Sequence, residues 1–136
     1  MSFKVKNSQL SNEALGVLNS LIEMDINATS AFKLARIVKH LSSIVEDKIN
    51  AEKRIYQKYV ERDESGNPIV PKDNDGNPIE GSVAISDMDA FSNEMNQLLA
   101  IESEVPFEKI NFQDLDLKTA KVKDMLKIEF LFSDLS

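Results

Sequence analysis

Residues 29 to 62 pass without a glycine or a proline, and that run constrains the fold more than any other feature of the chain. Ala31, Leu34, Ala35, Val38, Leu41, Val45, Ile49, Tyr56 and Tyr59 fall within one stripe at 100° per residue, while Lys33, Arg36, His40, Asp47, Arg54 and Lys58 lie away from it. The spacing predicts a single helix of about 30 residues, about 45 Å long at 1.5 Å per residue. Such a helix outruns the diameter of a small domain, so part of it is expected to project or to pack against something else. Tyr56 and Tyr59, at its far end, are candidates for meeting another element or a partner.

The rest of the chain supplies shorter pieces. "FKVKN" alternates and is read as a short strand. From Ser8 or Ser11 the pattern turns helical, with Leu10, Ala14, Val17, Leu18, Leu21 and Ile22 on one face. Thr29 or Ser30 is expected to cap the long helix. "SDMDAFSNEMNQLLAIE" reads as another helix, with Ser86 as its cap, Asp87 and Asp89 in its first turn, and Met88, Phe91, Met95, Leu98 and Leu99 as its apolar face. "EVPFEKINF" alternates imperfectly around Pro106 and is read as an edge strand. From about Lys118 to Phe132 the spacing of Val122, Met125, Leu126 and Phe130 predicts a last helix, and Ile128, Leu131 and Phe132 broaden its apolar face. A helix so apolar either closes the core or docks a second subunit, which makes Phe130 and Phe132 candidate contact residues.

Between the long helix and the next one stands "RDESGNPIVPKDNDGNPIEG", in which Asp63 to Ile69 and Asp73 to Ile79 are nearly the same seven letters. A calcium loop needs oxygen ligands at positions 1, 3 and 5, glycine at 6 and glutamate at 12. With Gly76 at position 6, position 1 is Pro71 and position 12 is Ser82; with Gly66 there, position 12 is Lys72. Neither copy fits. Asp and Asn side chains that bond their own backbone, glycine at positive φ and proline as a helix stop instead predict two turns of a β-hairpin or projecting loop at about 63–85.

The chain has 136 residues, which is one domain's length, and its composition is that of a globular protein, 42% hydrophobic and 29% charged. No run approaches a membrane span, and "MSFKVKNSQL" lacks the apolar block of a signal peptide, so a soluble cytoplasmic product is expected, not one in a membrane. Cysteine is absent, which removes disulfides, thiolate zinc sites and thiol catalysis. The formal net charge of −7 is uneven: residues 31 to 62 hold eight Lys or Arg against four Asp or Glu, and residues 63 to 108 hold eleven carboxylates against Lys72. Faces of opposite sign steer encounter with a protein partner, and Glu102, Glu104 and Glu108 are candidates for such docking.

No catalytic constellation emerges. His40, the one histidine, has no neighbour in sequence that would orient it as a base. Asp87-x-Asp89 and Asp114-x-Asp116 have a spacing that suits Mg²⁺, but each sits where a helix begins and aspartate is favoured for capping. The basic stripe of Lys33, Arg36, Lys39, Lys53, Arg54, Lys58 and Arg62 is interrupted by Glu46, Asp47 and Glu52 and has no aromatic interleaving, so nucleic acid is not an expected partner. No catalytic residue, cofactor or metal is assigned.

The order of pieces carries a resemblance: "FKVKNSQL", a small helix, the long helix ending "EKRIYQKYVERDESGNPIV", then "DMDAFSNEMNQLLAIESEV", "INFQDLDL" and an apolar last segment. This resembles a family of small uncharacterised proteins in tailed bacteriophages, in which a "KY…EKDENGNP" passage follows a long charged helix and an "F…E…LLE.EVE" passage follows the loop. The resemblance covers nearly the whole chain and departs at Asp73 to Ile79, which looks like an expansion of the loop. It implies a viral origin and carries over no catalytic residue.

The expected fold is therefore a single α+β domain over residues 1–136, mainly α, with a long central helix packed with two or three shorter helices plus a small β-hairpin element. The expected function is non-enzymatic: a phage protein acting by protein–protein binding as a virion or assembly component, in contact with phage structural proteins or with copies of itself. The alternative is an early phage protein that binds and inhibits a host enzyme of the polymerase, replication or defence machinery.

Overall fold

The computed structural model describes residues 2–115, 117 and 121–134. It is α+β and mainly α, and it divides into two compact units, Met1–Lys48 with Leu99–Ser136, and Ile49–Leu98. The long helix is present as α2 (Ala28–Tyr59), unbroken through 32 residues.

In the first unit, strand β1 (Phe3–Lys6) pairs antiparallel with β2 (Glu102–Val105), Phe3 opposite Val105 and Lys6 opposite Glu102. The alternation in "FKVK" points Phe3 and Val5 inward and both lysines outward. Pro106 lacks an N–H and stands just past the end of β2, so the strand precedes it instead of running through it as expected. Beyond it, Ile110 meets Phe132 in one isolated parallel bridge.

Helix α1 (Asn12–Glu23) starts where Ser11 accepts a hydrogen bond from the Ala14 N–H at 3.1 Å. It buries Ala14, Leu18 and Leu21, and the 3₁₀ turn before it buries Leu10 in the same core. The cap of α2 is Asn27, one turn earlier than Thr29 or Ser30: its side-chain oxygen takes the Ser30 N–H at 2.9 Å, while its amide donates to the Asp114 carbonyl at 2.6 Å. The buried line on this part of α2 is Ser30, Leu34, Ile37 and Leu41, rotated from the expected stripe so that Ile37 is inside and Ala35 is exposed. His40 is half-buried, with Nε2 3.1 Å from the Glu104 carbonyl and its ring edge-on to Phe107.

The last segment differs most from expectation. Helix α4 is one short piece, Val122–Leu126, followed by a turn and a 3₁₀ stretch at Glu129–Leu131. Phe130, Leu131 and Phe132 are all buried, and three consecutive side chains cannot share one face of an α-helix, where neighbours are 100° apart. The chain instead leaves the helix after Leu126, and along the 3₁₀ and extended backbone that follows Phe130, Leu131 and Phe132 are enclosed by the core while Val122 and Leu126 stay exposed. Lys118 lies outside the described residues.

The second unit is the end of α2 with α3 (Met88–Ala100, of which residues 88–98 belong here), joined by the tandem turns. The cap of α3 is Asp87, not Ser86; its carboxylate accepts the Ala90 N–H at 3.1 Å. Both turn copies have the same construction. Asp63 accepts the N–H groups of Ser65 and Asn67 at 2.9 and 3.0 Å, and Asp73 does the same for Asp75 and Asn77. Gly66 and Gly76 stand at φ +84° and +83°. An added Cβ meets no atom within 4 Å at either glycine, so a substitution costs only backbone conformation. Gly66→Ala or Gly76→Ala is expected to destabilise its own turn by about 1 kcal/mol, seen as faster amide exchange at Asn67 or Asn77 with no change in the core of the first unit.

Candidate interaction surfaces

None of residues 49–98 is buried. The two helix segments of this unit nonetheless pack: Tyr56 and Tyr59 both meet Phe91 edge-on, with ring centroids 5.2 and 6.2 Å apart, and Lys58 Nζ lies 3.1 Å from Glu94 Oε1. Lys58 and Tyr56 are about 200° apart around α2 at 100° per residue, so the ion pair closes one flank and the aromatic contact stands on the other. Ile49 and Tyr56, seven residues apart on that second flank, are both 45% exposed. Met88, one turn before Phe91 on α3, is 57% exposed, and Met95, one turn after, is half-buried. The loop adds Ile69, Val70 and Ile79 to the uncovered apolar side chains. Over residues 49–98 the charge is acidic on balance, ten carboxylates against five Lys or Arg, with Lys53, Arg54, Lys58 and Arg62 at the end of α2 and the acids mostly in the loop and α3.

The Tyr59 hydroxyl, and then Lys58, hold the Glu94 carboxyl below the usual carboxylate range. Glu94 Oε2 is shielded from water and has no hydrogen-bond partner among the described residues. Hydrogen bonding to Glu94 in turn holds the Lys58 ammonium and the Tyr59 phenol above their ordinary values. A carboxyl with a depressed folded pKa contributes stability that is present above its unfolded value and lost as pH falls through the folded one. The raised lysine and tyrosine contribute below their unfolded values, and their share is lost as pH rises through the folded ones. Both tyrosines of the chain lie in this unit and tryptophan is absent, so near-ultraviolet tyrosine dichroism reports on this unit. The signal is expected to be constant through neutral pH and to weaken only slightly in acid below the ordinary glutamate range, because the pair is exposed and screened; Glu94→Gln should remove that small acid limb.

In the first unit a cleft of about 370 Å³ opens beside α2. Its floor is Ile37 and Ile110, both buried, and Phe107 forms a wall. The Arg36 guanidinium lies over the Phe107 ring, 4.6 Å from its centroid. Lys33 and Lys109 add two cations to the lining, and Glu108 and Asp114 add two carboxylates.

The residues singled out in the sequence divide between the units. Tyr56 and Tyr59 stand together in the second, both against Phe91. Glu102 and Glu104 are exposed on β2, where Glu104 Oε1 accepts the Ser2 hydroxyl at 2.7 Å, and Glu108 lies beyond Pro106 at the cleft. Phe130 and Phe132 are core residues of the first unit. Asp114 serves through its backbone carbonyl, which holds Asn27 and Ser30, and Asp116 lies outside the described residues. Sequence periodicity gave no sign of the cleft, because Arg36, Phe107 and Lys109 come together only through tertiary packing; Arg36 and Phe107 were each visible, but not their stacking.

No family model, no curated protein and no solved structure matches the chain. Among the described residues no helix is long and apolar enough to cross a membrane.

Proposed function

We propose that the protein is non-enzymatic and works by docking another protein onto the helix pair of residues 49–98, as a bacteriophage virion or assembly component. One observation carries this reading: a unit of fifty residues holds a defined helix pair without burying a single side chain, and leaves Ile49, Tyr56 and Met88 largely in water. Large apolar side chains grouped on one flank and rimmed by charge are the usual character of a protein-binding surface, with tyrosine among the residues that dominate interface energies. The resemblance to tailed-phage proteins supplies the viral setting.

A second reading, an early phage protein that inhibits a host enzyme, is favoured by the acidity of the same unit. Host enzymes that handle nucleic acid present basic surfaces, which an acidic protein with apolar anchors complements.

The experiment is to purify virions from an infection expressing the tagged protein, analyse them by mass spectrometry, and measure the mass of the purified protein by light scattering. Presence in the particle, or stoichiometric association with a particle protein that Tyr56→Asp abolishes, supports the first reading. Absence from the particle with one host enzyme bound and inhibited moves the assignment to the second. A strict monomer, absent from virions and bound by nothing that Tyr56→Asp releases, removes both.

A further inference from the structure

The cleft of the first unit carries chemistry that the helix-pair reading does not use. The Arg36 guanidinium carbon is 4.6 Å from the Phe107 centroid and 5.7 Å from that of Phe32, one turn earlier on α2. Arg36 makes no hydrogen bond or ion pair among the described residues, so its N–H groups are available, and a guanidinium can grip a carboxylate through two parallel hydrogen bonds. Among the described residues no carboxylate lies within 4.0 Å of Arg36, Lys33 or Lys109. Arg36 and Lys33 therefore stand in the cleft without an ion-pair partner among the described residues, while the Lys109 ammonium at its rim lies toward the Phe3 ring, 5.9 Å from its centroid.

The walls that hold these cations are fixed. Asp134 takes the N–H groups of Phe112 and Gln113 at 2.8 and 3.3 Å, which pins the 3₁₀ turn at Phe112–Leu115. Ile110 donates to the Leu131 carbonyl at 2.8 Å, and its own carbonyl receives the Ser133 N–H at 3.0 Å. A cleft whose backbone is tied on both sides does not have to be ordered by its ligand, and that lowers the cost of binding.

The lining also selects among anions. Glu108 and Asp114 share the cleft with the cations, so a dianionic phosphate would face two like charges, whereas a single carboxylate carries half that charge and can be met by Arg36 and Lys33. The same two acids are acceptors for backbone N–H groups, and the Ile37 and Ile110 floor takes an aliphatic side chain. A carboxylate, N–H donors and an apolar side chain together describe a peptide.

We infer that the Arg36 cleft binds an acidic peptide segment, one carboxylate seated on Arg36 with Lys33 beside it on α2, and a neighbouring aliphatic residue on the Ile37–Ile110 floor. The site is separate from the proposed helix-pair surface and stands or falls without it.

The test is to pan a random peptide library on the immobilised full chain, and to measure the enriched peptides by fluorescence polarisation against the wild type, Arg36→Gln, Lys33→Gln and Tyr56→Asp. Enriched peptides should carry Asp or Glu beside an aliphatic residue and weaken about tenfold or more when that acid is changed to its amide, or on Arg36→Gln, with a smaller loss on Lys33→Gln. Arg36 is exposed, so the melting curve of the variant should match the wild type; if it does not, Lys33→Gln decides the question. Failure of any peptide to enrich, enrichment without an acid, affinity indifferent to both cleft variants, or equal displacement by inorganic phosphate would each overturn the inference. Peptides lost on Tyr56→Asp but kept by Arg36→Gln would belong to the helix pair, and would also count against the cleft.

Discussion

Phe132→Ala is expected to destabilise the first unit by about 3–5 kcal/mol, the range for truncating a buried aromatic side chain. The ring is 1% exposed and packs edge-on against Phe112, with centroids 5.3 Å apart at 84°. Its backbone belongs to the bridge from Ile110 to Phe132, which with its bonds to Leu131 and Ser133 ties the chain after Pro106 to the C-terminal stretch. Removing the ring leaves a cavity whose lining is fixed by those hydrogen bonds, so relaxation into the space is limited and the cost sits at the upper end. Phe132→Leu, which keeps most of the volume but loses the aromatic edge contact, should cost no more than about 1.5 kcal/mol. Urea denaturation followed by far-ultraviolet dichroism checks both. A Phe132→Ala protein as stable as the wild type would mean that the C-terminal stretch does not seal the core.

The sequence was most legible where one periodicity acts alone. A run of thirty-odd residues without glycine or proline is helical whatever surrounds it, and α2 follows it almost to the residue. The tandem turns were equally open, because Asp, Asn, Gly and Pro act on their own backbone within four residues and need no tertiary help. What depends on distant partners was not visible. Strands β1 and β2 are separated by nearly a hundred residues, and nothing in "FKVK" names "ESEV" as its neighbour. The choice of Ile37 over Ala35 for the inner face of α2 was made by what packs there, since both lie on flanks of the same broad stripe. In the last segment helical spacing was real but short: consecutive buried residues at 130–132 outweighed it and broke the helix. For the candidate surfaces the tyrosines were legible as an aromatic end to the long helix, whereas the Arg36 cleft was not, because its cations come from α2 and from the chain after Pro106.

Heating or titration with denaturant is expected to give two transitions, with the unit of residues 49–98 lost first. Hydrophobic stabilisation scales with apolar area withdrawn from water, at about 25 cal/mol per Å². In residues 49–98 the best-covered side chains, among them Ile55, Tyr59, Phe91 and Met95, are half-buried at most, whereas the first unit has Leu10, Leu21, Leu34, Leu131 and Phe132 essentially out of water. The exposed Lys58–Glu94 pair cannot make up the difference, since such pairs are screened and contribute little. Tyrosine dichroism, which comes wholly from residues 56 and 59, should therefore collapse while part of the helical signal survives. Amides of α3 should exchange well before those of Leu34, Ile37 and Leu41. The same imbalance gives the binding reading a thermodynamic signature. A partner that covers Ile49, Tyr56 and Met88 stabilises the unit it touches by mass action, about 2.7 kcal/mol at a hundredfold excess over Kd. The tyrosine transition should then move up toward the second one, and Ile49→Asp, which leaves both tyrosines and their contacts with Phe91 in place, should prevent the shift without moving the later transition. A single transition seen by every probe would mean that the uncovered side chains cost the fold nothing, and the physical case for a docking surface at residues 49–98 would lose its main support.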